Sequence, residues 1–473
     1  MVYITKNLPM KGKAKPVKET LKKEEGMHKK LTFLLVLLFA SSTAFAQSNT
    51  TFSWDGELRG QYHYWGNEDL DTASDDFLNY KTLRTRLGVK AEIMENTSVY
   101  IQIQDSRYAG QEGSVYNGFG NLDLHQAYIM LDKLWDSPFS LKAGRQELSY
   151  GDGRLIGADD WAYTGTAFDA AKLMFRQGRV SMDLFTGQLT PFWGRYSGSL
   201  TNETFSGLYS SVNYLEHGMW DVYLLSYYHG EVAIDAPYEN PAGTIANNTW
   251  LFTIGTRTSG TLVDDNFSYH GEFAYQFGDW LSSSVSAWAF SAGAGYEFPV
   301  EVAPYFGLEF NYASGDDSID DGNRGTFTNL FPANHGKYGA MDQMAWQNMI
   351  NVRATAGFKP VEKLDFRGDF HLFWLAQEND AWYTSMGFPT YFPDRPNFPV
   401  KGNLFGPVFV RGAAGTANNV GNELDLLLKY QYNDAVSWHL GFSHFFAGAV
   451  ADSVLGTDAG DANWFYAQMK VGF

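Results

Sequence analysis

The chain has 473 residues, of which 44% are hydrophobic, 19% charged and 16% aromatic. This composition excludes a disordered chain, and a mean hydropathy of −0.29 excludes a bundle of apolar membrane helices. The net charge of −18 argues against nucleic-acid binding, and the absence of cysteine excludes disulfides, thiol catalysis and cysteine-ligated zinc.

Residues 27–46 have the layout of a signal peptide, with a basic start, an apolar core and small residues that end at Ala46. The apolar core, residues 31–40, is shorter than the roughly 20 residues that a membrane-spanning helix needs. We expect cleavage after Ala46, a mature domain over residues 47–473, and an over-extended N-terminus over residues 1–26. Residues 1–46 hold nine lysines and three glutamates, so the mature chain has a net charge of −24.

Apolar and polar residues alternate with a period of two along the mature chain. In residues 79–93, for example, Leu83 and Leu87 share one parity while Arg84 and Arg86 share the other. We find about 18 such segments, most of them long enough for a tilted strand to cross a bilayer. Tight turns and long links alternate between them. The pattern predicts an all-β fold, an 18-stranded antiparallel transmembrane β-barrel with short periplasmic turns and long extracellular loops, in contact with the lipid of the bacterial outer membrane.

Aromatic residues near the predicted strand ends fit the girdles that such barrels place at the membrane interfaces. The chain ends at Phe473, after Met469 and Val471 on the same parity. This ending resembles the terminal aromatic strand that barrel-assembly machinery recognises, so we expect that machinery as a partner. Only about five residues separate Gln47 from the first strand, so no plug domain is predicted before the barrel.

The lumen of the predicted barrel contains charges of both signs. The strand register directs these cations inwards: Arg59, Arg84, Arg86, Lys90, Lys142, Lys172, Arg176, Arg257, Arg353, Arg367 and Lys429. It directs these acids inwards: Asp55, Glu57, Glu92, Asp183, Glu272, Glu309, Asp365, Asp369, Glu423 and Asp425. Arg84 and Arg86 lie about 7 Å apart on one wall, where their guanidinium groups suit the carboxylates of a polyuronate. The alternative is that both arginines pair with acids on neighbouring strands.

Several motifs resemble the alginate-export family of outer-membrane barrels. They are Gly144-Arg145-Gln146, the Gly- and Arg-containing loop around Arg154, Phe168-Asp169, residues 331–335, 338–342, 421–425 and 441–446. The resemblance covers most of the mature chain. It implies an 18-stranded monomeric pore that passes an anionic exopolysaccharide outwards, with arginines at the constriction and loops that gate it. Arg145 with Gln146, Arg154 and, less closely, Arg84 and Arg86 match the motif positions.

The predicted function is therefore an outer-membrane channel for export or diffusion of an anionic polysaccharide, an alginate-like polyuronate, or its oligomers. A periplasmic secretion complex is a possible further partner. The candidate pore-lining residues are Arg59, Arg84, Arg86, Arg145, Arg154, Arg353 and Arg367. Because the mature chain is acidic, a general or small-solute porin is the alternative; acids confined to outer loops would favour the polysaccharide.

Two loops raise further possibilities. Asp316, Asp317, Asp320 and Asp321 supply the hard oxygen ligands that calcium prefers, although their spacing matches no EF-hand and acidic outer loops are common. The link 378–419 is long and rich in proline and aromatic residues, so it could be a lid, a surface that stacks sugars, or an exposed loop.

A barrel enzyme is the third interpretation. Ser268 and His270 share a parity on one strand, and a serine–histidine pair can act on lipid at an outer wall. In the predicted register the pair faces inwards with Glu272, where lipid does not reach. We therefore expect no enzymatic activity and no cofactor.

Overall fold

The computed structural model describes residues 50–72, 77–110, 121–189, 203–230, 248–280, 283–318, 321–383, 417–455 and 459–473. The predicted boundaries at residues 26 and 46 lie outside these ranges and stay predictions. The barrel strands are β1 (Thr51–Gly66), β2 (Phe77–Met94), β3 (Thr97–Tyr108), β4 (Leu122–Leu131), β5 (Phe139–Gln146), β6 (Phe168–Gln177), β7 (Val180–Leu189), β8 (Glu203–Leu215), β9 (Gly218–His229), β10 (Thr249–Leu262), β11 (Phe267–Trp280), β12 (Ser283–Glu297), β13 (Tyr305–Ala313), β14 (Met349–Val361), β15 (Leu364–Trp374), β16 (Asn419–Gln431), β17 (Val436–Ala447) and β18 (Ala462–Gly472).

Three smaller elements accompany the barrel strands. The two-residue strand Asn323–Arg324 pairs in parallel with β12. A 3₁₀ turn at Leu134–Asp136 joins β4 to β5, and the short helix α1 (Ala449–Leu455) follows β17. In the described ranges, no helical segment combines the length and the apolarity needed to span a bilayer.

The 18 strands form one closed antiparallel sheet. Each strand pairs with the next along the chain, and β18 returns to pair with β1, where Arg59 lies opposite Lys470. Closure pairs the backbone donors and acceptors of the first and last strands, which lipid could not satisfy. The predicted 18-stranded antiparallel barrel is confirmed.

The two faces of the wall differ as the alternation predicts. On β2, Thr82, Arg84 and Arg86 are buried on the inward face, whereas Leu83 and Leu87 are exposed on the outward face. Apolar side chains that would be unfavourable in water are stable on the outward face because they contact lipid. The parity of the sequence therefore assigns the lumen and the lipid surface.

The short turns lie on one rim, together with the first residues of β1 and the last of β18. The turn between β2 and β3 is closed by Asn96 with φ 59°, and the turn between β6 and β7 by Gly178 with φ 59°. Both residue types tolerate this left-handed conformation. Short periplasmic turns place this rim on the periplasmic side.

Two long links fold into the lumen. We call residues 147–167 inner loop A and residues 314–348 inner loop B. They join through a parallel bridge in which the amide of Phe331 donates to the carbonyl of Leu155 (2.9 Å) and that of Gly157 to the carbonyl of Phe331 (2.8 Å). A side chain at Gly157 would meet the Cβ of Ala333 at 2.6 Å, so the close approach requires glycine. The two loops thereby narrow the channel.

Candidate functional site

Four cations on three adjacent strands form a group on the inward wall, which we call the cationic cluster. Arg59 lies on β1, Arg84 and Arg86 on β2, and Lys470 on β18. The register places Arg59 opposite both Arg84 and Lys470. The structure thus brings together three predicted pore-lining arginines and adds Lys470, which the sequence-based prediction missed. Lys470 lies between the lipid-facing residues Met469 and Val471, so the alternation along β18 already predicts that its side chain faces the lumen.

The arginines of the cationic cluster bind the backbone of inner loop A. Arg59 donates to the carbonyl oxygens of Asp160 and Ala162, the latter at 2.8 Å. Arg84 donates to the same two oxygens at 3.0 and 3.1 Å, and Arg86 to the carbonyl of Thr164 at 3.2 Å. These bonds satisfy loop carbonyls that have no strand partner. The wall arginines therefore fix the course of the loop across the lumen.

Three carboxylates balance the cationic cluster, and one of them, Glu147 of inner loop A, lies 3.7 Å from Arg86. Glu57 on β1 lies 2.6 Å from Arg84 and 2.8 Å from Lys470. Asp160 of inner loop A lies 2.5 Å from Arg84, 3.2 Å from Arg86 and 3.4 Å from Lys470. Burial alone would raise the pKa of Asp160, but the attraction of Arg84 and Lys470 outweighs it and holds that pKa well below its usual range. Asp160 is therefore ionised throughout the neutral range.

Arg154 is a buried member of the predicted site residues. Its guanidinium group donates to Asp152 (2.9 Å), Glu309 (2.9 Å) and Asn311 (3.0 Å), and also to the hydroxyl of Tyr338 (3.0 Å). These partners belong to inner loop A, β13 and inner loop B. Arg154 therefore joins both loops to the wall inside a packed junction.

The remaining predicted arginines occupy separate places. Arg353 pairs with Glu309 and donates to the carbonyl of Gly336 in inner loop B (3.3 Å). Arg367 forms two bonds to Asp369 at 2.7 and 3.0 Å, and its side chain is partly exposed to the lumen. Both face the channel, but neither belongs to the cationic cluster.

The prediction that Arg145 lines the pore is wrong. Arg145 pairs across the wall with Asp169, to which it donates at 3.3 Å, and it shares the parity of the exposed Phe139. Residues opposite each other in antiparallel strands, and residues two apart along a strand, point to the same face. That face is the outward one, so Arg145 forms an ion pair near the extracellular end of β5.

An aromatic contact joins the tip of inner loop A to inner loop B. The rings of Trp161 and His335 stack with centroids 3.9 Å apart and an interplanar angle of 2°. His335 Nδ1 lies 2.9 Å from a carboxylate oxygen of Asp342. Trp161 also meets Tyr466 of β18 edge-on, so the loop junction rests against the barrel wall. The sequence motifs contained these residues but did not indicate that they meet.

We expect Asp159 to make this junction sensitive to pH. Burial and the neighbouring Asp342 carboxylate raise the pKa of Asp159 to about 6. This folded-state pKa lies above that of an ordinary aspartate, so protonation of Asp159 stabilises the folded protein. We therefore expect the contact between the loops to weaken as the pH rises through about 6. We expect larger fluctuations of the single-channel current at about pH 7 than at about pH 5. The Asp159→Asn variant is expected to lose this difference; an unchanged pH dependence would exclude Asp159 as its source.

The acidic segment of inner loop B is tied into local turns. Asp316 accepts from the amide of Ser318 (3.2 Å) and Asp321 from that of Asn323 (2.8 Å), while Asp320 lies outside the described residues. No group of three His, Asp or Glu residues within the described ranges is arranged to hold a metal. The calcium site at Asp316, Asp317, Asp320 and Asp321 stays a prediction. Most of the predicted lid, residues 384–416, also lies outside the described ranges.

Ser268 and His270 have different partners. The hydroxyl of Ser268 donates to the carbonyl of Gly295 at 3.4 Å, and His270 Nε2 lies 3.4 Å from Glu309. The geometry joins His270 to the ion-pair network of Arg154 and gives no activation of the serine.

A closed 18-strand barrel with an apolar outer face and a polar lumen defines a channel of the bacterial outer membrane. The model of the alginate export family matches residues 51–464, and the chain belongs to that family. The barrel is similar to OprD of Pseudomonas aeruginosa at 13% identity, with 90% of this chain and 96% of that one covered and a TM-score of 0.55. It is also similar to OpdQ of the same organism at 11% identity, with 89% and 98% covered and a TM-score of 0.56. No curated protein matches the chain.

Proposed function

We propose that this channel passes an anionic polysaccharide, an alginate-like polyuronate or its oligomers, and that the cationic cluster guides the carboxylates. The observation that carries the proposal is the grouping of Arg59, Arg84, Arg86 and Lys470 on one wall of the lumen. Guanidinium forks match the planar geometry of carboxylates. Membership of the alginate export family supports the same substrate class.

The many inward acids are compatible with this proposal because several are compensated where they lie. Asp183 contacts Arg176 at 2.5 Å and Lys172 at 3.5 Å, and Asp221 contacts Arg257 at 3.2 Å. Ion pairing of this kind cancels most of the field of an acid beyond its own neighbourhood. The acidity of the whole chain therefore does not set the sign of the field at the cationic cluster.

A small-solute porin is the second candidate. Inner loops A and B meet across the lumen through the bridge between Ile156 and Phe331, which narrows the path. Small solutes could pass beside this junction without moving it, whereas a hydrated polymer requires more space. The two candidates share the barrel and differ in what binds the cationic cluster.

Ion selectivity in a planar bilayer tests the proposal. The purified protein is placed in a salt gradient, the reversal potential is measured, and a short mannuronate oligomer is then titrated. We expect anion preference and block of the current, since the arginines and Lys470 attract the oligomer. A neutral oligosaccharide of equal length is the matched control and should not block. Cation preference without block would instead support a porin for neutral or cationic solutes.

We also propose that Phe473 presents the signal for barrel-assembly machinery. Its backbone exchanges hydrogen bonds with Gly56 at 2.8 and 3.1 Å, which closes the end of the β1–β18 pair. Its ring covers Gly56 on the outward face and stays largely exposed. An exposed terminal ring beside the closing strands supports recognition from outside the barrel. A periplasmic secretion complex likewise remains a proposed partner.

A further inference from the structure

We propose that Asp160 is a tethered counter-ion that occupies the anion-binding position of the cationic cluster, and that a uronate carboxylate must displace it to bind. The inference rests on the proposed function and adds a regulatory element to the same site. It also identifies the position at which a carboxylate of the substrate would bind.

The contacts of Asp160 are those that a bound carboxylate ligand would make. Oxygen Oδ1 contacts Arg84 at 2.5 Å and Arg86 at 3.2 Å, and Oδ2 contacts Lys470 at 3.4 Å. One carboxylate therefore bridges strands β2 and β18 across the closure of the barrel. Charge-assisted bonds to several cations are the usual means of binding a free carboxylate. A uronate group can make the same bonds only if Asp160 vacates the position.

The exposure of the side chains shows which groups can be reached from the lumen. The side chains of Arg84 and Arg86 are 1% and 7% exposed, whereas those of Asp160 and Lys470 are 54% and 38% exposed. The Asp160 carboxylate and the backbone of inner loop A together cover the arginines. Lys470 lies near the end of β18 at the periplasmic rim, opposite Arg59. A polyanion in the lumen can therefore contact Lys470 and Asp160, whereas Arg84 and Arg86 are almost inaccessible to it.

The backbone of inner loop A is held independently of the Asp160 carboxylate. Arg59 and Arg84 bind the carbonyl oxygens of residues 160 and 162, and Gln104 binds that of Thr164 at 2.9 Å. These bonds do not depend on the position of the carboxylate, so the side chain can turn away while the loop stays in place. Glu57, by contrast, is a strand residue with a largely buried carboxylate. Of the two acids that contact Arg84, Asp160 is therefore the displaceable one.

A tethered carboxylate competes at a high effective concentration. The Asp160 carboxylate therefore excludes single anions that bind weakly. A polyuronate can displace Asp160 because, when one of its carboxylates leaves the site, another on the same polymer takes its place. The device therefore favours a polyuronate over small monovalent anions.

The test compares wild type with Asp160→Asn and with the control Glu92→Gln. Glu92 lies on the same strand as Arg84 and Arg86, and its partners are Lys90 and Thr51, so the control removes one negative charge from the same wall without touching the site. The measurement is the concentration of mannuronate oligomer that blocks half of the single-channel current. We expect this concentration to fall about fivefold in Asp160→Asn and to change by less than about twofold in Glu92→Gln.

The outcomes separate this inference from the proposed function. Block of the wild type with an unchanged half-blocking concentration in Asp160→Asn, or an equal change in Glu92→Gln, would overturn the inference and leave the proposed function standing. Absence of block in every protein would overturn both. Folding of each variant is checked on a gel, where an unheated, folded barrel migrates faster than the heated protein. If Asp160→Asn does not fold, Asp160→Ser is used in its place.

Discussion

Replacing Arg154 by alanine is expected to weaken the junction between inner loop A and inner loop B and to lower the free energy of unfolding by about 3–5 kcal/mol. The buried guanidinium group pairs with the buried carboxylate of Glu309 and with the partly exposed carboxylate of Asp152. Its loss leaves Asp152 as a carboxylate without its cation, while Glu309 keeps Arg353. Urea titration in lipid vesicles measures the stability. Single-channel recording is expected to show a larger and less steady conductance because the loops move more.

The control for this change is Arg176→Ala. Arg176 is also an inward arginine paired with an acid, but half of its side chain is exposed, so its loss should cost at most about 1 kcal/mol. Arg154→Lys keeps the charge but cannot supply the planar fork that reaches four partners, and an intermediate result is expected. Equal stability and conductance of Arg154→Ala and Arg176→Ala would show that Arg154 does not hold the loops.

The double substitution Arg84→Gln and Arg86→Gln is expected to abolish anion preference and to weaken oligouronate block by at least about tenfold. The three acids Glu57, Glu147 and Asp160 would then outnumber the two remaining cations of the cluster, which are Arg59 and Lys470. The field at this part of the wall would change sign. The reversal potential in a salt gradient measures this directly.

A second double variant provides the control. Arg176→Gln with Arg367→Gln removes two inward, half-exposed cations that lie away from the cationic cluster, so the net charge changes equally. We expect anion preference to fall only slightly and the block to persist. If both double variants lose selectivity to the same extent, the lumen acts through its total charge and the cationic cluster has no special role.

Much of the barrel could be predicted because lipid and lumen impose opposite demands on neighbouring residues. The consecutive residues Leu83 and Arg84 show this, because the apolar one faces lipid and the charged one faces the lumen. Tight turns such as that at Asn96 identify the periplasmic rim. Closure then follows from the need to pair every backbone group in lipid. Parity and turn residues are local features of the sequence, and closure is required of every barrel in lipid. A single sequence is therefore sufficient to predict all three.

Arg145 shows where a motif misled the prediction. The resemblance assigned it to the pore, yet the parity that directs Lys142 inwards directs Arg145 outwards, three residues later. The register alone would have placed it correctly. A similar check on parity would have found Lys470.

The loop contacts could not be predicted because loops have no parity. Asp160 meets Lys470, and Trp161 meets His335, only because inner loops A and B turn back into the lumen. These pairs are distant in the sequence, and no periodic signal connects them. The resemblance implied gating loops, but the partners of each loop depend on the three-dimensional path of the chain.

The seam between β1 and β18 has a consequence for biogenesis. Arg59 comes from the first strand to be synthesised and Lys470 from the last, and they become neighbours only when these strands pair. A barrel that is still open at this seam lacks a complete cationic cluster, whatever the state of its other strands. On the proposed function, anion selectivity therefore depends on the pairing of β1 with β18.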